Sequence, residues 1–294
     1  MILRRAIRVV GAIALVAPIL SCAPTTQVTE TSSTSSGWTL AWSDEFNGAA
    51  GSAVDSRIWS YDTGDGCKEG ICGWGNKEKE TYTSAPDNIA LDGQGRLAIT
   101  ARRASTAVSC YYGPCRYTSA KIKTQGKAQA QPGRVEARIK LPEGQGLWPA
   151  FWMLGSSFPL TPWPASGELD IMENHGSAPS VTSSAMHGPG YSGQTPFAHS
   201  NTLQTGKFSD DFHVFAVEWD AASVRFFVDS TLHYMIEKSN VGRYGAWVND
   251  QPFFVILNLA VGGNFDGDPS SDAILPATML VDYVRVYALS PRAK

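Results

Sequence analysis

Between Arg134 and Leu141 apolar and polar residues alternate without a break, with Val135, Ala137, Ile139 and Leu141 set against Arg134, Glu136, Arg138 and Lys140. A period of two places the apolar set on one face of an extended chain, so the segment reads as a strand with one buried and one wet face. Phe212–Trp219, Val224–Asp229, Phe253–Val261 and Met279–Tyr287 are rich in β-branched and aromatic residues and bounded by Gly, Pro, Asn or Asp, and they read as strands too. No stretch sustains a helical period, and Leu232–Trp247 is the one place for a short helix. Charged residues make up only 17% of the 294, below the usual ~25%, which argues against a coiled coil or a disordered acidic chain. Many strands joined by short turns imply an all-β fold, a jelly-roll sandwich of two antiparallel sheets with a substrate cleft on the concave face. One domain is expected over 38–288, followed by a short tail at 289–294.

The first 37 residues have a different character. Arg4, Arg5 and Arg8 precede the apolar stretch Val9–Leu20, which is too short for a comfortable membrane span and has the order of a secretory signal. Ile19-Leu20-Ser21-Cys22 resembles a bacterial lipoprotein box, so residues 1–22 read as a leader with Cys22 as the lipid-accepting residue; ordinary signal cleavage is the alternative. Residues 23–37 are rich in Ser and Thr and read as a flexible tether. The mature chain is therefore expected to be exported, either lipid-anchored to the cell membrane or secreted.

Export bears on the cysteines. Apart from Cys22 there are Cys67, Cys72, Cys110 and Cys115, an even number suited to an oxidising compartment. Local bridges Cys67–Cys72 and Cys110–Cys115 are the first choice among three pairings, and a four-cysteine zinc site is the competing idea. A net charge of −3 gives no reason to expect nucleic acid as a partner.

Chemistry concentrates in Gly167-Glu168-Leu169-Asp170-Ile171-Met172-Glu173-Asn174. Three carboxylates so close on one strand repel one another and are costly to desolvate, so core packing does not explain them. A solvated acidic edge is the bland reading, but the neighbouring Leu147-Trp148-Pro149-Ala150-Phe151-Trp152 looks buried or cleft-lining. Glu168 and Asp170, two apart, leave the same face, whereas Glu173 at an offset of five would leave the opposite one. One extra residue absorbed as a β-bulge near Ile171–Met172 would bring all three acids to a single cleft.

Glu-Leu-Asp-Ile-Met-Glu resembles the signature of glycoside hydrolase family 16 in its bulged, laminarinase-like form. The likeness runs from Trp42 to Tyr287 and includes Trp42-Ser43-Asp44-Glu45-Phe46, Gly73-Trp74-Gly75-Asn76 with Glu80 and Tyr82, Gly146–Trp152, Trp163-Pro164 before Gly167-Glu168, and Val281–Tyr287. It implies a retaining endo-β-1,3-glucanase with Glu168 as nucleophile, Asp170 as its helper and Glu173 as general acid/base. It also implies a β-glucan polysaccharide as partner, a monomer, and no cofactor for catalysis. Trp148, Trp163, His187, Trp74 and Asn88 are the expected substrate-binding residues. Trp152 reads as core, Trp74 equally as cleft wall or loop anchor, and His175 as a cleft residue or a turn cap. A structural calcium is implied at Glu45, Gly95 and Asp282. Two other readings stay open: another family specificity (mixed-linkage glucan, galactan or transglycosylation), and a non-hydrolytic glucan-binding protein, which would be expected to lack one of the acids.

Overall fold

The structure, a computed structural model, describes residues 37–105 and 108–290. The expected leader with Cys22, and the tether up to Ser36, lie outside the described residues. The alternating segment at 134–141 forms the Gly133–Lys140 strand, with Val135, Ala137 and Ile139 fully buried. It pairs on one side with His213–Trp219 and on the other with Ala277–Leu289, the central strand of the larger sheet. That central strand also pairs with Leu97–Arg103 and with Trp38–Asp44, so the first strand of the described chain lies against the last. Ser223–Val228 and Thr231–Glu237 extend this sheet to one edge. The chain expected to hold a short helix starts as that edge strand, up to Glu237, and continues into the single α-helical turn Lys238–Val241.

The second sheet carries the strands that matter for chemistry. Its order is Phe197–Thr202, Val181–His187, Glu168–Asn174, Leu147–Gly155, Phe253–Val261, Lys121–Lys123 and Ser60–Asp62. Every residue of Phe253–Val261 is buried, because this central strand is covered on both faces. Phe253, Val255, Leu257 and Leu259 enter the core between the sheets, while Phe254 and Ile256 pack under Trp152 and Phe158 on the other side. Apolar side chains from both sheets, among them Phe151, Phe215, Phe226 and Trp219, fill the space between them. Two antiparallel-paired sheets around one core are the expected jelly-roll sandwich.

Both local disulfides are present, Cys67–Cys72 at 2.04 Å and Cys110–Cys115 at 1.99 Å. With all four sulfurs bonded in pairs, the zinc alternative falls away.

Candidate active site

Gly167, at φ +77°, turns the chain into the Glu168–Asn174 strand, and an added Cβ there would also sit 3.1 Å from Val248. Across to Leu147–Gly155, Trp152 pairs with Asp170 but Phe151 pairs with Met172. Across to Val181–His187, Ala185 pairs with Asp170 but Ser183 pairs with Glu173. The strand thus holds one residue more than either neighbour, which is a bulge at Ile171–Met172. The Ser184 hydroxyl donates to the Ile171 carbonyl at 2.8 Å. Leu169, Ile171 and Met172 are at most 1% exposed and all belong to the core. Adjacent residues can share a face only at such an irregularity, and it leaves Glu168, Asp170 and Glu173 together on the face turned away from the core.

Register places the neighbours. Glu168 is opposite His187, Asp170 opposite Trp152 and Glu173 opposite Ala150, which in turn faces Asn258 and Lys121 on the next two strands. His187 Nε2 lies 3.0 Å from an Asp170 oxygen. Trp163, 43% exposed, stands beside Glu168 and 6.1 Å ring to ring from His187. Toward the other end Trp148 Nε1–H donates to Glu173 at 3.0 Å. The Trp148 ring stacks on Phe265 at 4.4 Å, and Phe265 stacks on His175 at 3.8 Å. The acids therefore lie in a trough between Trp163 and the Trp148–Phe265–His175 column.

Burial and mutual repulsion raise the carboxyl groups. Glu168 is pushed up to about 8 by burial and then by the charge of Asp170. Glu173 is pushed up to about 7 by burial and then by Glu168. Asp170 is raised by burial and by Glu173, and the His187 hydrogen bond works against that rise. For His187 burial acts downward, but the hydrogen bond and charge of Asp170 outweigh it and lift the imidazole to about 9. These groups share protons, so the titration belongs to the cluster. Glu168 and Asp170 share a hydrogen bond that raises the first and lowers the second, so the pair can hold one proton and one negative charge between them, and Glu168 is the anion when that proton moves to Asp170. The site can thus present one ionised and one protonated glutamate, which suits displacement at an acetal carbon.

Of the residues expected to touch substrate, Trp148, Trp163 and His187 come together around the acids. Trp74 does not open onto the trough; it is 9% exposed, its N–H donates to the Gly64 carbonyl, and it holds φ +52° between two glycines. It is a loop anchor, with the Lys121 ammonium 4.3 Å from its ring. Asn88 is a correction: it is 3% exposed, donates to the Thr100 carbonyl and the Thr118 hydroxyl, and accepts from Thr83. A side chain with its polar atoms so engaged ties three chain segments together and has nothing left for a sugar. Trp152 is a second correction. Its even offset from Trp148 and its register with Asp170 put it on the trough side, with its N–H donated to Asn258 at 2.7 Å. Sequence reasoning missed Phe265 altogether, since nothing local in Asn264-Phe265-Asp266 announces a ring column.

The family model for glycosyl hydrolases family 16 matches residues 76–285, which include the bulged strand and its three acids. The chain belongs to this family. Family 16 relatives extend the likeness over most of the domain. The glucan endo-1,3-beta-glucosidase A1 of Niallia circulans is 39% identical over 85% of this chain and 38% of its own length. The beta-glucanase of Rhodothermus marinus is 38% identical over 85% of both chains. Among solved family structures, the endo-beta-1,3-glucanase from Pyrococcus furiosus superposes with a TM-score of 0.81 at 44% identity, covering 86% of this chain and 95% of that one. The laminarinase catalytic domain from Thermotoga maritima gives 0.80 at 42% identity, covering 86% and 99%. Two of the three residues at which family resemblance implies a calcium, Glu45 and Asp282, lie beside guanidinium groups. Both Glu45 oxygens accept from Arg285, at 2.9 and 2.8 Å, and Asp282 accepts from Arg138 at 2.7 Å.

Proposed function

We propose that this family 16 glycoside hydrolase is an exported, monomeric, retaining endo-β-1,3-glucanase acting on laminarin-type glucans. The observation that carries the reading is the bulge that turns Glu168, Asp170 and Glu173 to one trough face. Glu168, ionised, attacks the anomeric carbon as the bond to the departing sugar oxygen breaks, and Glu173 gives its proton to that oxygen. A water then passes its proton to Glu173 while its oxygen attacks the same carbon and releases the Glu168 carboxylate. Two displacements retain configuration, and Asp170 tunes the nucleophile. Relatives named for β-1,3-glucan hydrolysis support the substrate class. A neighbour at 35% identity named as a non-specific endo-β-1,3(4)-glucanase keeps mixed-linkage glucan as the second reading. Product analysis on laminarin, lichenan, agarose and carrageenan in parallel, with the product anomer followed by NMR, tests both. Failure to cleave laminarin while cleaving another polymer would overturn the specificity.

The expected pH profile follows from Glu173. Its acid form, needed for the first step, is present below about 7 and lost above, so kcat/KM should fall as pH rises past that value. Trp148→Phe keeps a ring for Phe265 to stack on but removes the N–H that favours the Glu173 carboxylate. The alkaline limb should therefore move to higher pH; a limb that moves down or stays would remove Trp148 from this role.

Export rests on the leader and on Cys22. The mature protein is expected to fractionate with membranes in a bacterial host, and Cys22→Ser to release it or leave it unprocessed. Soluble protein beginning beyond an unmodified Cys22 would overturn the lipid anchor.

A further inference from the structure

A second pair of acids lies beneath the trough, outside the proposed chemistry. Glu78 is 5% exposed and Glu80 0%. One Glu80 oxygen accepts the Val261 N–H at 2.7 Å, and the other is buried with no donor if both carboxyls are ionised. Glu78 accepts from the Asn76 amide at 3.2 Å and from the Tyr82 hydroxyl at 3.0 Å. Asn258 donates to the Tyr82 oxygen at 3.2 Å, and Trp152 donates to Asn258 at 2.7 Å. Trp152 stands opposite Asp170, and Asn258 stands in the cross-strand row of Glu173. A line of hydrogen bonds therefore runs from the buried Glu78 carboxyl, beside Glu80, to the floor on which the catalytic acids sit.

Two carboxylates side by side in a buried site repel each other too strongly for both to ionise. Placing one proton on the partnerless Glu80 oxygen resolves the conflict, because that oxygen then donates to Glu78, and Glu78 accepts from Asn76, Tyr82 and Glu80 together. We infer that Glu80 is held as a neutral acid sharing its proton with Glu78, and that the pair acts through Tyr82 and Asn258 as positioning residues for Trp152 at the substrate-binding floor. Burial, followed by the charge of Glu78, raises Glu80 well above the ordinary glutamate range, which agrees with this. The charged and titratable groups around the pair are Lys121 and Tyr82, both beside Glu78, and Tyr112, beside Glu80. Lys121 is itself balanced by Asp62 at 3.8 Å.

This inference rests on the proposed glucanase reading for its kinetic consequence but not for its proton. Glutamine is uncharged and keeps an N–H where the neutral acid has its O–H and an oxygen to accept the Val261 N–H, so Glu80→Gln should bind and cleave laminarin within about twofold of the parent at pH 6. Tyr82→Phe breaks the line between Glu78 and Asn258. It should raise KM for the polymer at least fivefold while leaving kcat on a glucoside with an activated leaving group within twofold. Thermal melts give a readout independent of activity. A carboxyl raised on folding contributes stability below its unfolded value of about 4.5, and that stability is lost as pH rises through the folded value. The parent should therefore lose melting temperature relative to Glu80→Gln as pH rises above about 4.5, while the two coincide near pH 4. A Glu80→Gln variant as damaged as Tyr82→Phe, or a melting difference that does not grow with pH, overturns the shared proton. An unchanged KM in Tyr82→Phe overturns the positioning role. If the parent cleaves no laminarin the glucanase reading fails, and the melts still decide the state of Glu80.

Discussion

Replacing Glu168 with glutamine is expected to reduce hydrolysis of a β-1,3-glucan by about 10⁴-fold or more, the scale seen when a covalent nucleophile is removed. Glu173→Gln should lose about 10²–10⁴-fold, the usual contribution of a general acid/base. Asp170→Asn should lose less than either, because Asp170 makes and breaks no bond to sugar. Chemistry separates the two glutamates further. An activated leaving group departs without a proton, so it should partly rescue Glu173→Gln and not Glu168→Gln. Azide should trap a β-glycosyl azide only in Glu173→Gln, where the glycosyl-enzyme still forms. Kinetics on polymer and on an activated glucoside, with and without azide, check all of this. A reversed rescue pattern would exchange the two roles.

The second large effect concerns the bulge. Inserting one alanine between Met172 and Glu173 should abolish hydrolysis, because a retained bulge then turns Glu173 toward the core side, away from Glu168. Deleting Met172 leaves Glu168 and Glu173 four apart on a regular strand, with both acids still on the trough face. It removes a fully buried side chain and should cost about 2–5 kcal/mol, as large core truncations do. Activity on an activated glucoside, compared after a thermal melt has confirmed folding, should be clearly higher for the deletion. Two folded variants of equal inactivity would mean that the extra residue is not what aims Glu173.

Parts of this were legible because a physical conflict was written into the chain. An odd offset between two acids, with Ile171 and Met172 side by side between them, has a one-residue solution, and the register shows it at that place. Strands such as Phe253–Val261 were legible from their apolar run and its turn residues. Trp152 was misread because Leu147–Gly155 is nearly all apolar, and a strand covered on both sides has no alternation to say which side is which. Its face is set by register with Asp170, and register is a property of the assembled sheet. Asn88 was misread because hydrogen bonds to Thr83, Thr100 and Thr118 exist only after three segments meet. Lys77-Glu78-Lys79-Glu80 has the look of a solvated face, and only the packing under Asn258 reveals that both acids are buried.

The pairing of the first described strand with the last has a consequence for biogenesis. Trp38–Asp44 lies against Ala277–Leu289, and that same closing strand is the one on which Gly133–Lys140 and Leu97–Arg103 also zip up. The centre of the larger sheet is thus made after every other described strand of that sheet, and the contacts between Trp38–Asp44 and Ala277–Leu289 must wait for it. Such long-range topologies fold slowly. A nascent chain lacking residues beyond 276 has no middle to that sheet, so it stays threadable until Ala277–Leu289 has been made. For a protein proposed to leave the cytoplasm by threading through a narrow pore, strand order alone would delay premature closure. Moving the closing strand to the front by circular permutation should speed folding on the ribosome and jam translocation.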